Sequence, residues 1–324
     1  MLNKNTPYIG RGPGPEKKYR FLLAFILLIL VLSAEANLIT AAAKGGTEFP
    51  LTVTDQFARE VTLKRMPRRI VSVSPANTEI LFALGLGAER RIVGVTNWCD
   101  YPPEVRFIEK VGDLYPLNLE KIISLRPDLV VASDINGKED VDRLTELGVT
   151  VATVNPTTLR SSLEAIELLG RLTGKTPQAG KLVKRIQQGI TQIERRGKIL
   201  TANRGKPLKV LVILGGAYEG QPIWTTGPGT FLDELITLTG GENIGHQLNL
   251  RWAQMSMEHV LKCNPDVILT ESDGEELYRN KLWAFLSAVQ KRQVYTVDIN
   301  VFSRPGPRLL EAMEGLSLLM EKSE

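Results

Sequence analysis

Apolar and polar positions follow the same order at two places in the chain. Residues 118–133 (Asn-Leu-Glu-Lys-Ile-Ile-Ser-Leu-Arg-Pro-Asp-Leu-Val-Val-Ala-Ser) align without a gap with residues 256–271 (Ser-Met-Glu-His-Val-Leu-Lys-Cys-Asn-Pro-Asp-Val-Ile-Leu-Thr-Glu), at an offset of 138. Each copy opens on a residue suited to cap a helix, Asn118 or Ser256, whose side chain accepts from a free backbone N–H. Each puts a glutamate, Glu120 or Glu258, in the first turn, where the helix dipole favours negative charge. Leu119, Ile122 and Ile123, like Met257, Val260 and Leu261, then recur at helical spacing. Pro127 and Pro265 end the helix, because proline disfavours helical geometry in the residue before it. The apolar runs 129–132 and 267–269 read as strands buried on both faces of a parallel sheet. The duplication predicts two similar α/β lobes.

Other segments fill in this outline. Residues 50–65 alternate around a polar turn and predict a small hairpin. Strands are expected at 69–73, 92–95, 149–153, 209–214 and 294–297, and 223–227 reads as a short extended segment. Residues 74–78 read as a loop with Thr78 as cap of a short helix over 79–84, which Gly85 and Gly87 close. Helices are also expected at 157–173, 230–238, 281–289 and 308–320. Between the lobes, Ala179, Leu182, Val183, Ile186, Ile190, Ile193 and Leu200 form one stripe. With Thr176 as cap and Pro177 at the first helical position, this predicts a helix of about 25 residues, roughly 37 Å long. It would join the lobes as a stiff strut with limited hinge motion. The boundaries drawn are a leader over 1–36, one lobe over 50–156, linking helices over 157–206 and a second lobe over 207–324.

The formal charge of the 324 residues is +4. Residues 1–36 contribute a surplus of three, so the remainder is near neutral, which speaks against nucleic acid as a partner. Lys17, Lys18 and Arg20 precede the apolar run 21–32, and small residues at 34–36 and 41–43 offer cleavage sites. That is the pattern of a secretory signal, with an uncleaved N-terminal anchor as the alternative. No cysteine follows the run closely enough to carry a lipid. The two cysteines, Cys99 and Cys263, fall in opposite lobes. Cys263 takes the apolar slot of Leu125, so no disulfide is expected.

Candidate chemistry is sparse. Gly170-Arg-Leu-Thr-Gly-Lys-Thr176 has three residues between its glycines where a phosphate loop needs four, and reads as a helix end. Gly85-Leu-Gly87 lacks the third glycine of a dinucleotide fingerprint. His246 and His259 are the only histidines, too few for an imidazole metal cluster, and both read as surface residues. The aromatics say more. Trp98, Tyr101, Tyr115, Tyr218, Trp224, Trp252 and Phe302 fall in inferred loops, and open α/β sheets bind ligands beyond the carboxyl ends of their strands. A cleft so lined suits a large, flat, largely apolar ligand. Glu120 and Glu258, one on each lobe, suit paired arginines of a partner.

Ser74-Pro-Ala-Asn-Thr-Glu79, Asp100-Tyr-Pro-Pro103, Asn118-Leu-Glu120, Arg126-Pro-Asp128, Gly240-Gly-Glu-Asn243 and the Arg304…Pro307-Arg308 ending together resemble the helical-backbone (class III) substrate-binding proteins of ABC importers. That family serves cobalamin, ferric siderophores and haem, and the resemblance runs from about residue 50 to the end. It implies two lobes with mainly parallel sheets, one long joining helix, a ligand cleft between the lobes and little closure. It also implies an extracytoplasmic, monomeric, non-enzymatic binding protein without a cofactor. The partners would be an importer's permease dimer and its ATPase subunits. The nearest likeness is to the cobalamin-binding branch. Trp98, Tyr101, Tyr115, Trp224, Trp252, Asn300, Phe302 and Arg304 then correspond to ligand-lining positions, and Glu120 and Glu258 to the docking glutamates. Two features differ from that branch: an Asp-Trp pair is Asn300-Val301 here, and an expected tryptophan is Leu114. A ferric siderophore or haem remains open as the ligand, with Arg304 and Arg251 as possible cationic contacts. So does cobalt ligation by Cys99 or His246. A secreted enzyme on a related scaffold would need a catalytic constellation that the sequence does not display.

Overall fold

The hairpin over 50–65 forms as expected from β1 (Leu51–Thr54) and β2 (Glu60–Leu63), paired antiparallel with Leu51 opposite Leu63. The computed structural model describes residues 47–216 and 221–323. The leader and Tyr218 lie outside these. Asp55 shapes the hairpin turn by accepting the N–H groups of Phe57 and Arg59 at 2.9 and 3.0 Å.

The first lobe follows with β3 (Ile70–Ser72), α1 (Pro75–Ala83), β4 (Ile92–Val95), α2 (Leu119–Ser124), β5 (Leu129–Ala132), α3 (Lys138–Glu146) and β6 (Val151–Thr153). Its sheet is parallel throughout, in the order β4-β3-β5-β6. Helix α1 starts four residues earlier than the sequence suggests. Pro75 fits the first turn, where its missing N–H costs nothing. Thr78 is therefore not a cap: its hydroxyl bonds back to the Ser74 carbonyl at 2.9 Å.

Two helices join the lobes. α4 (Leu159–Thr173) ends at Gly174 in the left-handed conformation, φ 71°. α5 (Thr176–Arg204) runs for 29 residues, about 43 Å. It buries Ala179, Val183, Ile186, Ile193 and Gly197.

The second lobe contains β7 (Leu208–Ile213), β8 (Ile223–Thr226), α6 (Phe231–Leu238), β9 (Gly241–Asn243), β10 (Trp252–Met255), α7 (Met257–Cys263) and β11 (Val267–Thr270). Then come α8 (Glu275–Arg279), α9 (Ser287–Gln290), β12 (Val294–Thr296), α10 (Ile299–Ser303) and α11 (Leu309–Lys322). Its parallel sheet has the order β12-β11-β7-β9, and β8 and β10 form a separate antiparallel ribbon. The single helix expected over 281–289 is broken. Asn264 accepts the Ser287 N–H at 2.8 Å and so starts α9 afresh.

The repeated Pro-Asp pair has a structural purpose. Arg126 and Asn264, equivalent residues before the prolines, both turn left-handed at φ 48° and 46° and stop α2 and α7. Asp128 then accepts the Arg69 N–H at 2.8 Å, and Asp266 the Lys209 N–H at 2.9 Å. Each aspartate thus ties its helix–strand turn to the start of the neighbouring central strand. The cation at that start returns the tie: Arg69 donates to the Leu125 carbonyl at 2.7 Å and Lys209 to the Cys263 carbonyl at 3.1 Å.

One continuous apolar core runs from the first sheet (Ile70, Leu129, Val131) along α4 and α5 (Leu169, Ile186, Ile193) to the second (Val210, Val267, Leu269) and α11 (Met313, Leu316). Smaller clusters cover the outer face of each sheet. This shared, close-packed core joins the two lobes and limits movement between them.

Candidate functional site: the inter-lobe aromatic cleft

The loop after β4 is held by its backbone, leaving its aromatic side chains outside. Asn97 donates its N–H to the Gly112 carbonyl at 2.8 Å, and Lys110 donates to the Thr96 and Cys99 carbonyls at 3.2 and 2.7 Å. The Cys99 thiol is 1 % exposed and lies 3.2 Å from the hydroxyls of both Thr78 and Thr96. It therefore has no route to a cobalt-bearing ligand. Trp98, between these anchors, is 57 % exposed, and Tyr101 is exposed beyond them. Tyr115 is held differently. Asn136 donates to the Val73 and Leu114 carbonyls, both at 2.9 Å. The Tyr115 ring lies over Gly137, where a Cβ would come within 2.8 Å of it.

Trp224 and Trp252 are not on loops. They sit on β8 and β10, where Trp224 pairs with Gln254 and Trp252 with Thr226. Side chains two apart on paired strands share a face, so the tryptophans are diagonal neighbours on one side of the ribbon. That side is the open one: Trp224 is 46 % and Trp252 49 % exposed, whereas Ala253 and Met255 point inward.

Arg304 and Arg308 reach across from the second lobe to the first. Arg304 pairs with the Asp100 carboxylate and donates to the Asn300 side-chain oxygen at 2.7 Å and the Trp98 carbonyl at 3.3 Å. Arg308 donates two bonds, of 2.8 and 2.6 Å, to Glu79 and stacks 4.1 Å from the centre of the Tyr101 ring. Burial pushes the Glu79 carboxyl above its ordinary range, against the pull of Arg308 and then Arg304. Burial also opposes ionisation of Asp100. There the Arg304 hydrogen bond and charge outweigh it and hold the carboxyl low.

The structure thus brings Trp98, Tyr101, Asn300 and Arg304 together across the lobe boundary, and Trp224 and Trp252 together on the ribbon. Tyr115 stands over Gly137. Phe302 lines no open surface: α10 turns it inward, and at 7 % exposure it packs in the shared core. His246 lies on the surface with its Nδ1 within 2.9 Å of the Asp233 carboxylate. His259 is half-buried, with its Nε2 enclosed. Glu120 and Glu258 are exposed in the first turns of α2 and α7 and have no ion-pair partner among the described residues. The caps beneath them are Asn118, accepting the Lys121 N–H at 3.0 Å, and Ser256, accepting the His259 N–H at 3.2 Å.

A groove of about 1510 Å³ runs along α5 between Phe82, Phe107, Leu182 and Leu310. It reaches Tyr101, Glu79 and Arg308 but is lined by none of the tryptophans Trp98, Trp224 and Trp252. Arginines (Arg90, Arg185) and glutamates (Glu104, Glu311, Glu314) are mixed on its walls. Size alone does not identify a ligand site.

The chain thus has two parallel-sheet lobes joined by a long helix, with exposed tryptophans on both lobes. Residues 70–300 match the periplasmic binding protein family, and the chain belongs to it. It is 36 % identical to an uncharacterised ABC transporter substrate-binding lipoprotein of Bacillus subtilis (strain 168), over 93 % of this chain and 96 % of that one. Among solved structures it resembles the periplasmic vitamin B12 binding protein of Vibrio cholerae (29 % identity, TM-score 0.67, 79 % of this chain and 98 % of that one). It also resembles a periplasmic haem-binding protein of Roseiflexus sp. RS-1 (25 % identity, TM-score 0.69, 79 % and 98 %).

Proposed function

We propose that this substrate-binding protein captures cobalamin or a related corrinoid between its lobes. It then delivers the ligand, outside the cytoplasm, to the permease dimer and ATPase subunits of an ABC importer. The observation that carries this reading is a set of exposed tryptophans on both lobes, with the arginines beside the Trp98 loop already committed to acids. Trp98, Trp224 and Trp252 offer flat apolar faces, while Arg304 is already paired with Asp100 and Arg308 with Glu79. The amide-fringed face of a corrinoid macrocycle suits this site, since covering it strips no charge of its water. Haem and ferric siderophores carry carboxylates or other anionic groups that call for a cation. The runner-up reading therefore rests on Arg251, which is exposed beside Trp252 and has no acidic partner among the described residues.

Delivery rests on Glu120 and Glu258, equivalent exposed acids on the two lobes. Reversing both charges (E120K/E258K) is expected to abolish stimulation of the importer's ATPase while leaving ligand affinity within twofold. Equal loss of ligand binding would make the two residues structural and remove the docking assignment.

A further inference from the structure

Glu79 belongs to α1 of the first lobe, yet its partners belong to the second. It is 2 % exposed. Both of its oxygens accept from Arg308, at 2.6 and 2.8 Å, and the Arg304 guanidinium lies 3.6 Å away. Arg304 in turn grips the Trp98 carbonyl, the Asp100 carboxylate and Asn300, and Arg308 stacks on Tyr101. Two acids from one lobe and two arginines from the other make a closed, neutral set. Every polar contact described between the Trp98–Tyr101 loop and the Asn300–Arg308 segment passes through those arginines. The Glu79–Arg308 pair is mostly buried, at 2 % and 9 % exposure, and two-pronged, which fixes orientation as well as distance.

We propose that Glu79 is the positioning residue of the binding site. By holding Arg308, and with it Arg304, it sets the separation of the lobes and clamps the Trp98 loop against the Asn300–Arg304 segment, so that the cleft is pre-formed before ligand arrives. Pre-organisation raises affinity by reducing the ordering that binding requires. A single buried acid linked to both loops is the natural control point for it. This deepens the corrinoid reading and rests on it for the choice of ligand only.

The test has two arms. Spin labels at Ser124→Cys and Lys262→Cys, equivalent exposed sites on the two lobes, report the inter-lobe distance in ligand-free protein. The background is Cys263→Leu, the residue that the first copy carries there. Wild type is expected to give one narrow distance and E79Q a broadened distribution, with cyanocobalamin affinity reduced at least tenfold. The double variant E79Q/R308Q separates positioning from a mere buried-charge penalty. It removes both charges, so a charge penalty would be relieved and the narrow distance would return, whereas positioning predicts that the breadth persists. An unchanged distance in E79Q, or its recovery in the double variant, overturns the proposal. If E79Q does not fold, R308K keeps the charge but loses the two-pronged bond, and the same broadening is expected from it. Failure of cyanocobalamin to bind the wild type would refute the ligand, and the distance arm would still decide the role of Glu79.

Discussion

Replacing Trp252 or Trp224 by alanine isolates the aromatic wall from the rest of the molecule. A tryptophan presents about 250 Å², so 49 % exposure leaves roughly 120 Å² of Trp252 for a ligand to cover. At about 25 cal/mol per Å², full cover is worth about 3 kcal/mol. A planar ligand covers one face, or about half of this, roughly 1.5 kcal/mol and close to tenfold in Kd. The 46 % exposure of Trp224 gives nearly the same figure. Each single variant is therefore expected to bind cyanocobalamin about tenfold more weakly, and W224A/W252A about 100-fold more weakly. Equilibrium dialysis reads both changes. Stability should stay within about 0.5 kcal/mol, because the deleted rings face solvent. Phe285, 73 % exposed in the turn before α9, serves as control, and F285A should bind like wild type. If both tryptophan variants bind within twofold of wild type, the ribbon is not a wall of the site and the cleft assignment falls with it.

The seat of the strut helix is tested by Gly197→Ala. An added Cβ would lie 2.1 Å from the Leu238 carbonyl oxygen and 2.8 Å from the Gly240 nitrogen. Overpacking of about 1–3 kcal/mol should outweigh alanine's helix preference of about 1 kcal/mol, lowering the urea midpoint; a gain in stability would contradict the packing. Acid stability tests the carboxylates paired with arginines. Asp55 and Asp100 have folded pKa values below their unfolded 3.8, the Arg59 and Arg304 contacts respectively outweighing burial. Their contribution is present above 3.8 and is lost as pH falls through the folded values. Glu79, raised by burial, runs the other way: its contribution is complete below 4.5 and declines as pH rises through its folded value. Unfolding free energy should therefore fall below about pH 4. D55N should flatten part of that acid limb, and an unchanged limb in D55N would refute the assignment.

The duplicated helix–Pro-Asp–strand unit was legible because its signals are local: a cap, a helical stripe, a proline and an apolar run within sixteen residues. The strut was legible from one apolar stripe for the same reason. The ribbon was not, since β8 and β10 have four residues each and their pairing spans an intervening helix and strand. Phe302 reads as a cleft aromatic until the five residues of α10 rotate it inward. Helix α3 carries too few apolar residues to show a helical stripe, because it is mostly charged. Glu79 and Arg308 stand 229 residues apart. Each fell within a motif, but nothing in the intervening pattern announces that a carboxylate of one lobe meets two arginines of the other.

Calorimetric titration of the protein with cyanocobalamin, with a ferric siderophore and haemin run in parallel, tests the central claim most directly. The account predicts saturable one-to-one binding of cyanocobalamin tighter than about 1 μM, worth roughly 8 kcal/mol, and no comparable heat from the iron ligands. Binding of haemin or the siderophore without cyanocobalamin would leave the family and fold in place and contradict the corrinoid assignment.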